Sequence, residues 1–223
     1  MIEKVKKEVF KLLNKDKTGH NFDHVHRVLK LALHFSEEEN VNVEILSLIA
    51  LLHDVDDFKL FGDDNSKNLY NARRIMTFCK VDENIQEIVC TDISKIGYRK
   101  RLNGSYPETL EGKFVSDADM CDALGANGLL RLNDYIKSYG VPFFNKNIFP
   151  SENKNEIITK KCSDSGVCHV FEKLLKLKNL MLTEKGKEEA IKRHDIVVQF
   201  LYHLFDEENS LEWVEYLNNY LKD

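Results

Sequence analysis

The segment 43–53 constrains the fold more than any other part of the chain, because it is apolar on nearly every side. Seven of the eight residues at 45–52 are apolar. A helix without a polar face has to be surrounded by other elements, so this one is expected in the interior. Asn42 stands directly before it and is a residue type that caps helix N-termini. The pattern therefore predicts a central buried helix that ends at a polar pair, His53 and Asp54.

Apolar residues recur at helical spacing through most of the remaining chain. Only three prolines and ten glycines interrupt the 223 residues, which leaves few turn signals for a sheet of many strands. Asp82 and Thr183 stand where two of the helices need N-caps. The helices predicted besides the central one cover about 5–13, 21–35, 66–80, 84–94, 117–138, 166–181, 184–205 and 210–221. We therefore predict an all-α fold, a helical bundle with additional C-terminal helices.

The helical pattern also predicts a single domain over residues 1–223. Its core spans about 20–140, and the helices of about 160–223 pack on that core. Two stretches, 95–108 and 139–165, lack periodicity and are expected to be loops. The first contains the basic run Arg99-Lys100-Arg101. Long irregular segments often cover a pocket, although a basic run of this kind is also typical of solvated surface.

The overall composition narrows the classes of partner. A net charge of −5 and a pI near 5.9 argue against a nucleic-acid interface, which needs a basic face. The five cysteines form no C-x-x-C pair, a pattern that favours reduced thiols in a reducing compartment. The first residues have no secretory signal pattern, and no apolar run approaches the ~18 residues that span a bilayer. We expect a cytoplasmic protein that binds neither nucleic acid nor membrane.

The pair His53 and Asp54 stands out because it follows the most buried helix directly. Burying a charge costs free energy unless the charge is paired or binds a metal. A helix-terminal histidine beside a capping aspartate is a common structural alternative. His20 and His24 lie four residues apart at the start of the second helix and share one helical face. They provide further metal-binding nitrogen atoms.

A third polar group lies at 116–122, where the sequence predicts the start of a helix rich in small residues. Asp119 and Asp122 are three residues apart and therefore lie on one face of that helix. Asp117 is explained by N-terminal capping, whereas Asp122 is not. The small residues that follow allow this helix to pack closely against a neighbour.

The order His … His-Asp … Asp resembles the HD superfamily of metal-dependent phosphohydrolases, in particular a bacterial branch of small stand-alone hydrolases. The resemblance extends over about 20–206, so it is far more specific than a lone His-Asp dipeptide. The matching pieces are residues 24–28, 52–59, 117–119 with 122–126, 171–178 and 183–193. The chain departs from the family at Met120 and Cys121, where the family usually has a basic and an aliphatic residue. The resemblance implies an HD-type helical domain.

By this resemblance the metal ligands are His24, His53, Asp54 and Asp119. Two imidazoles and two carboxylates suit one divalent ion, Mn²⁺ or Mg²⁺ first and Fe²⁺, Co²⁺ or Ni²⁺ next. No histidine lies between His53 and His169. HD enzymes with two metals add histidines in that interval, so we expect a single ion. The same absence weakens an alternative interpretation as an iron oxygenase.

The resemblance also implies an activity, the hydrolysis of a phosphate ester or anhydride. Nucleotides are the leading class of substrate, and both release of pyrophosphate and removal of a 5′-phosphate are open. The expected partner is thus a small phosphorylated molecule, and a homodimer is compatible with the sequence. The alternative is a regulatory module that binds metal and nucleotide without catalysis.

Residues beside the four ligands complete the predicted site. Asp54 and Asp57 are the predicted catalytic residues, with Asp57 as acceptor of a proton from the attacking water. His20 and Lys59 are predicted to bind substrate. A solvated helix terminus is the alternative interpretation of Asp57 and Lys59.

A polar stripe in the C-terminal part matches the same branch. His169, Lys173 and Lys176 fall at i, i+4 and i+7 of a predicted helix, opposite apolar residues. All three are therefore predicted to bind substrate. The alternative for this stripe is a solvated helix face.

Overall fold

The computed structural model describes residues 1–14, 16, 20–153, 157, 160 and 162–222. These residues form twelve α-helices and one 3₁₀ helix, and the described part of the chain contains no strand, so the predicted all-α class is confirmed. The α-helices are α1 (Ile2–Leu13), α2 (Phe22–Phe35), α3 (Val43–Leu52), α4 (Phe58–Asn68), α5 (Tyr70–Phe78), α6 (Glu83–Ile93), α7 (Tyr98–Leu102), α8 (Leu110–Asp122), α9 (Gly125–Ser138), α10 (Gly166–Glu172), α11 (Glu184–Glu207) and α12 (Leu211–Tyr220). The 3₁₀ helix (Leu174–Leu180) lies between α10 and α11.

Helix α3 is the buried centre of the bundle, as its sequence predicts. Every residue at 46–52 is buried, and the helix contacts α1, α2, α6 and α8. The side chain of Asn42 accepts hydrogen bonds from the backbone N–H groups of Glu44 and Ile45, which confirms the predicted cap. Each fully buried leucine stabilises the fold by roughly 1.5–3 kcal/mol relative to an exposed one. The core thereby fixes the position of the residues that follow α3.

The helix predicted at 117–138 is two helices, and its predicted start is wrong. Helix α8 begins at Leu110, where the Thr109 hydroxyl accepts a hydrogen bond from the Gly112 N–H. It ends at Asp122, and α9 begins at Gly125, whose φ of 71° favours glycine. The aspartates at 117–122 thus lie at the end of α8 and not at its beginning. Their partners come from other helices, which a reading of local sequence could not include.

Other predicted helices are also divided. Leu69, with a φ of 53°, separates α4 from α5 within the predicted helix 66–80. The predicted helix 166–181 stops at Glu172, because Lys173 has φ −131° and ψ −61°. The 3₁₀ helix follows, so the i, i+4, i+7 register of the predicted polar stripe does not continue past Lys173. The stretch 95–108, predicted to be a loop, contains the short helix α7.

Helix α11 packs against α8 and α9, and its N-terminus is held by an aspartate of α8 that the sequence assigned to capping. The Asp117 carboxylate accepts hydrogen bonds from the backbone N–H groups of Leu182 and Thr183 and from the Thr183 hydroxyl. It therefore holds the N-terminus of α11, where Thr183 is the predicted N-cap.

Buried apolar residues from α1 to α12 form one cluster. The single-domain assignment itself stays a prediction. No helix among the described residues is long and apolar enough to cross a bilayer.

Candidate metal centre

His24 lies on the buried face of α2, where one hydrogen bond holds its backbone and another orients its ring. Asn21 caps α2 and accepts a hydrogen bond from the His24 backbone N–H at 3.1 Å. The His24 ring N–H at Nδ1 donates to the Asp122 carboxylate at 2.7 Å. Because Nδ1 is used in this way, the lone pair of Nε2 points toward the opposite side. A carboxylate behind a histidine in this manner is typical of metal-binding histidines.

His53 is the residue at which the chain leaves α3. Its Nδ1–H donates to the Ala50 carbonyl oxygen at 2.8 Å, so its Nε2 is also left as an acceptor. Adjacent residues of a regular helix point about 100° apart. The helix ends here, and therefore both His53 and Asp54 can turn toward His24.

Four side chains meet at this point. The Nε2 atoms of His24 and His53 lie 3.2 Å apart. Asp54 Oδ2 lies 3.3 Å from the His24 Nε2 and 3.5 Å from the His53 Nε2. Asp119 Oδ1 lies 3.4 Å and 3.8 Å from the same two nitrogen atoms. The structure thus brings together all four residues that the sequence predicted as ligands.

Asp122 supports the cluster from behind. It is fully buried and accepts hydrogen bonds from Arg27 and Arg131 as well as from His24. These donors hold the pKa of Asp122 well below its ordinary value despite burial, which alone would raise it. Asp119 and Asp122 both contact His24, which confirms that they share one face of α8.

The electrostatics of the cluster favour a cation. Burial and Arg131 oppose a charge on His24, yet the carboxylates of Asp119, Asp122 and Asp54 outweigh them and raise the pKa of His24 to about 10. Burial likewise opposes a charge on Asp54, but His53, His20 and His24 hold the pKa of Asp54 well below its ordinary value. The donor set therefore binds a proton tightly, and it would hold a divalent cation for the same reason.

The geometry of the two imidazoles supports the same conclusion. With both Nδ1–H groups engaged, the facing Nε2 atoms present lone pairs to each other at 3.2 Å. Such a pair is stable only with a proton or another cation between or beside the two nitrogen atoms, in agreement with the raised pKa of His24. The residues present therefore fit a metal ion with mixed nitrogen and oxygen ligands. His20, whose Nδ1 lies 2.8 Å from Asp54 Oδ2, forms a second candidate ligand group with His24 and Asp54.

The cluster lies at one end of a cavity of about 630 Å³. His53, Asp54 and Asp119 line this end. The opposite walls come from α7, α9, α10 and the segment that precedes α10. Cavities of roughly 300–1,000 Å³ are typical of sites for small molecules.

Comparisons with known proteins agree with this geometry. The sequence profile of the HD domain matches residues 21–124, the range that contains all four clustered residues. Over 203 residues the chain is 30% identical to Bacillus subtilis YpgQ, with 91% of each protein covered. The chain belongs to the HD superfamily.

Solved structures extend the match to more than nine tenths of this chain. An HD-superfamily hydrolase from Bacillus thuringiensis is 34% identical, with a TM-score of 0.69 and coverage of 94% of this chain and 97% of that one. The crystal structure of B. subtilis YpgQ in complex with ADP is 28% identical, with a TM-score of 0.69 and coverage of 92% and 94%. The predicted membership of the HD superfamily is thus confirmed, and hydrolases are among the solved structures that share the fold.

The structure places most of the predicted substrate-binding residues of this HD protein at the cavity. His20, His169 and Lys173 line it, and so does Asp57, which was predicted as a catalytic residue. Lys173 also lies over the Tyr98 ring, with its Nζ atom 5.4 Å from the ring centre. Lys176 is not among the lining residues in the described part of the chain. The backbone of Lys59 belongs to α4, but its side chain lies outside what the structure describes.

Several residues that line the cavity were not predicted as site residues from the sequence. Arg99 and Lys100 line the cavity from α7, although a solvated loop was the competing interpretation of their segment. Arg131 and Tyr135 line it from α9. Helical spacing within α9 does not distinguish a residue that faces a cavity from one that faces solvent. The only sequence signal for this wall was the lack of periodicity around 95–108.

Proposed function

We propose that this protein is a metal-dependent phosphohydrolase that acts on a nucleotide. The observation that carries the proposal is the shared cavity: three residues of the donor cluster, His53, Asp54 and Asp119, and a wall of cationic side chains line the same space. A divalent ion and cations from the protein are the two devices that stabilise the charge of a phosphoryl group during transfer. The HD fold of solved hydrolases supports the assignment.

His24, His53, Asp54 and Asp119 would hold one divalent ion, Mn²⁺ or Mg²⁺ by the chemistry of the donors. When bound, such an ion lowers the pKa of a coordinated water and neutralises charge on the phosphoryl oxygen atoms. Two hydrogen bonds fix the histidine ligands in advance, since Asp122 orients His24 and the Ala50 carbonyl oxygen orients His53.

Asp57 is our candidate for the group that accepts the proton of the attacking water. It is half-buried, lines the cavity, and follows Asp54 by one turn, with its N–H donating to the Asp54 carbonyl oxygen at 3.1 Å. His20 fixes the Asp54 carboxylate through the contact at 2.8 Å and lines the same space. Lys173 offers an ammonium group to the phosphate oxygen atoms.

Three features support a nucleotide as substrate. The cavity of about 630 Å³ is large enough for more than a phosphate group. Tyr98, Tyr135 and Tyr139 line it and provide aromatic faces for a base. The relative YpgQ was crystallised in complex with ADP. The lining comes from both the 20–140 core and the segment after 160, which supports our proposal that the chain works as a single domain.

A nucleotide panel tests the proposal. Purified protein is incubated with nucleoside mono-, di- and triphosphates in the presence of Mn²⁺, Mg²⁺, Co²⁺ or Ni²⁺, and released phosphate and pyrophosphate are quantified. We expect metal-dependent hydrolysis of at least one class, abolished by a chelator and restored by added metal. Tight binding of metal and nucleotide without hydrolysis of any compound would contradict catalysis and favour the regulatory alternative.

A further inference from the structure

A buried carboxylate outside the metal centre also belongs to the cavity wall. Glu172, the last residue of α10, is 3% exposed and is among the residues that line the cavity. Its Oε1 atom accepts a hydrogen bond from the Ser151 N–H at 3.1 Å, and its Oε2 atom accepts one from the Ser163 hydroxyl at 2.5 Å. Burying a carboxylate costs free energy unless such hydrogen bonds compensate it. Glu172 is therefore the anchor of a polar network in this wall.

The Ser163 hydroxyl connects this carboxylate to His169. Ser163 Oγ lies 3.3 Å from His169 Nδ1, and both residues line the cavity. A hydroxyl group has one proton to donate, and Ser163 donates it to Glu172. Its oxygen atom can then only accept from the imidazole, so the Nδ1 atom of His169 carries the ring proton. In a neutral ring of this kind the other nitrogen atom, Nε2, is an acceptor.

The backbone that carries these side chains is held at the start of α10. Ser165 caps the helix with its hydroxyl oxygen. The N–H groups of Gly166 and Val167 donate to the carbonyl oxygen atoms of Pro142 and Phe143, at 3.1 and 2.8 Å. This approach requires glycine, because a Cβ atom at Gly166 would lie 2.9 Å from the Phe143 carbonyl oxygen. The polar network is thus in place before a ligand arrives, as precise recognition requires.

The surroundings of His169 indicate which ligand group it meets. Lys100 and Lys173 line the same cavity, and their charges oppose a further positive charge on the imidazole. An acceptor at Nε2 needs a donor, which an ionised phosphate lacks and a sugar hydroxyl provides. The ring centre of His169 lies 5.9 Å from that of Tyr135, one of the aromatic faces available to a base. Because the sugar of a nucleotide adjoins its base, a sugar hydroxyl is the donor that fits this position.

We propose that Ser163 and Glu172 are positioning residues that hold the His169 ring with its proton on Nδ1, so that Nε2 accepts a hydrogen bond from a sugar hydroxyl of the substrate. This inference rests on the proposed function and deepens it, because it assigns recognition of the sugar to His169. A site built to pair with a hydroxyl rejects a ligand that lacks it, since the acceptor then stays unpaired. The cavity should therefore favour nucleotides with sugar hydroxyls over dideoxynucleotides.

Histidine NMR tests the tautomer without any ligand. Long-range ¹H–¹⁵N correlation spectra of ¹⁵N-labelled protein, loaded with Mg²⁺ at neutral pH, show which ring nitrogen carries the proton. The spectrum of His169→Asn identifies the His169 signals by their absence. We expect the proton on Nδ1 in the wild type. Ser163→Ala and Glu172→Gln should shift the population toward the Nε2–H form that free histidine favours in water, whereas Ser163→Thr, which keeps the hydroxyl, should retain the wild-type tautomer.

Binding of two hydrolysis-resistant nucleotides tests the hydroxyl contact. Adenosine 5′-(α,β-methylene)diphosphate and its 2′,3′-dideoxy counterpart are titrated calorimetrically into Mg²⁺-loaded protein. We expect the wild type to prefer the hydroxyl-bearing analogue about fivefold or more. His169→Asn keeps an N–H near the position of Nδ1 but has no atom at Nε2, so it should reduce the preference to within about twofold. Ser163→Ala should reduce it to below about threefold, and Ser163→Thr should preserve it.

Ser47→Ala is the matched control, because Ser47 is also a buried serine whose hydroxyl donates a hydrogen bond, and it is not among the described residues that line the cavity. It should change neither the His169 tautomer nor the preference, and circular dichroism checks the fold of each variant. A proton on Nε2 or on both ring nitrogen atoms of the wild type would overturn the proposal, and so would equal affinity of the wild type for the two analogues. Failure of both analogues to bind would contradict the nucleotide assignment and the hydroxyl contact together, whereas the tautomer measured without ligand tests Ser163 and Glu172 separately.

Discussion

The two ends of the cavity are built differently. At the inner end, the side chains of His24 and His53 are each 1% exposed, and each ring is oriented by a hydrogen bond from its Nδ1 atom. At the outer end, the lining residues come from α9, from the short helices α7 and α10, of five and seven residues, and from the 3₁₀ helix, and several are partly exposed. The inner end thus belongs to the hydrophobic core, whereas the outer end depends on short elements besides α9.

This difference indicates that the two ends of the cavity have different roles. Metal coordination and catalysis require a geometry that is fixed to within fractions of an ångström, and a packed core provides it. Selection among substrates requires only charge and shape at the outer wall. We therefore expect substitutions at the inner end to abolish activity or metal binding, and substitutions at the outer end to change affinity and substrate preference.

The largest effect is expected at Asp54, the carboxylate shared by His20, His24 and His53. Asp54→Ala should reduce hydrolysis at least about a hundredfold, because a ligand worth several kcal/mol of transition-state stabilisation is lost. Helical circular dichroism should persist, since the core does not depend on this carboxylate. The matched control is Asp63→Ala, an exposed residue in the neighbouring helix α4. Full activity of the Asp54 variant with metal still bound would contradict the assignment.

A smaller effect on the same end is expected at Asp122, which does not face the metal site directly. Asp122→Asn removes the negative charge that orients His24 and pairs with Arg27 and Arg131. We expect a roughly 10- to 100-fold loss of Mn²⁺ affinity, measured by calorimetric titration. The exposed residue Asp134 on α9 offers the control variant Asp134→Asn. Unchanged Mn²⁺ affinity of the Asp122 variant would show that the contact between Asp122 and His24 is not needed for metal binding.

The inner end is also where the sequence was most informative. The run of apolar residues predicted the burial of α3, and the pair His53 and Asp54 after it predicted a polar site in the core. The spacing of Asp119 and Asp122 predicted one shared face, which the contacts of both with His24 confirm. The apolar periodicity of a helix, and the burial it predicts, depend on the residues of that helix alone. Both can therefore be read from a short stretch of sequence.

The outer end was less predictable because its geometry depends on breaks and long-range contacts. The kink at Lys173 changes which lysines face the cavity, and no glycine or proline marks it. Helix α7 has only five residues, too few for a periodic pattern, and it is held by Leu180 and Glu172 from distant parts of the chain. The break before Gly125 could have been suspected from the glycine alone.

Lys173 and Lys176 provide a direct test of that kink. Lys173 lines the cavity, so Lys173→Ala should lower kcat/KM about tenfold through a lost charge-assisted contact. Lys176 does not line the cavity in the described structure, and Lys176→Ala should stay within about twofold of wild type. Steady-state kinetics on the nucleotide that the panel identifies measures both. Equal losses in the two variants would favour the continuous helical stripe predicted from the sequence.

The smallest effect is expected on the far side of α8, at Asp117, and it concerns stability rather than activity. Burial raises the pKa of Asp117 from 3.8 to about 6, although hydrogen bonds from Leu182 and Thr183 partly oppose the shift. The folded state therefore binds this proton more tightly than the unfolded state does. The contribution of the protonation to the free energy of unfolding is lost as the pH rises from about 4 to 6.

The free energy of unfolding of the wild type, taken relative to that of Asp117→Asn, should accordingly fall by about 1–3 kcal/mol between pH 4 and pH 7. Denaturant unfolding at several pH values measures this difference. Mn²⁺ affinity of the Asp117 variant at neutral pH should stay within about threefold of wild type, because Asp117 contacts α11 and not the metal ligands. A pH-independent difference would contradict the raised pKa.

The central claim is that one metal ion binds among His24, His53, Asp54 and Asp119. Anomalous X-ray diffraction at the manganese edge, from crystals grown with Mn²⁺, tests it directly. We expect one anomalous peak per chain in this cavity, within coordination distance of both Nε2 atoms and of a carboxylate oxygen from each aspartate. A peak bound by other residues, two peaks in the cavity, or no peak at saturating Mn²⁺ would contradict it.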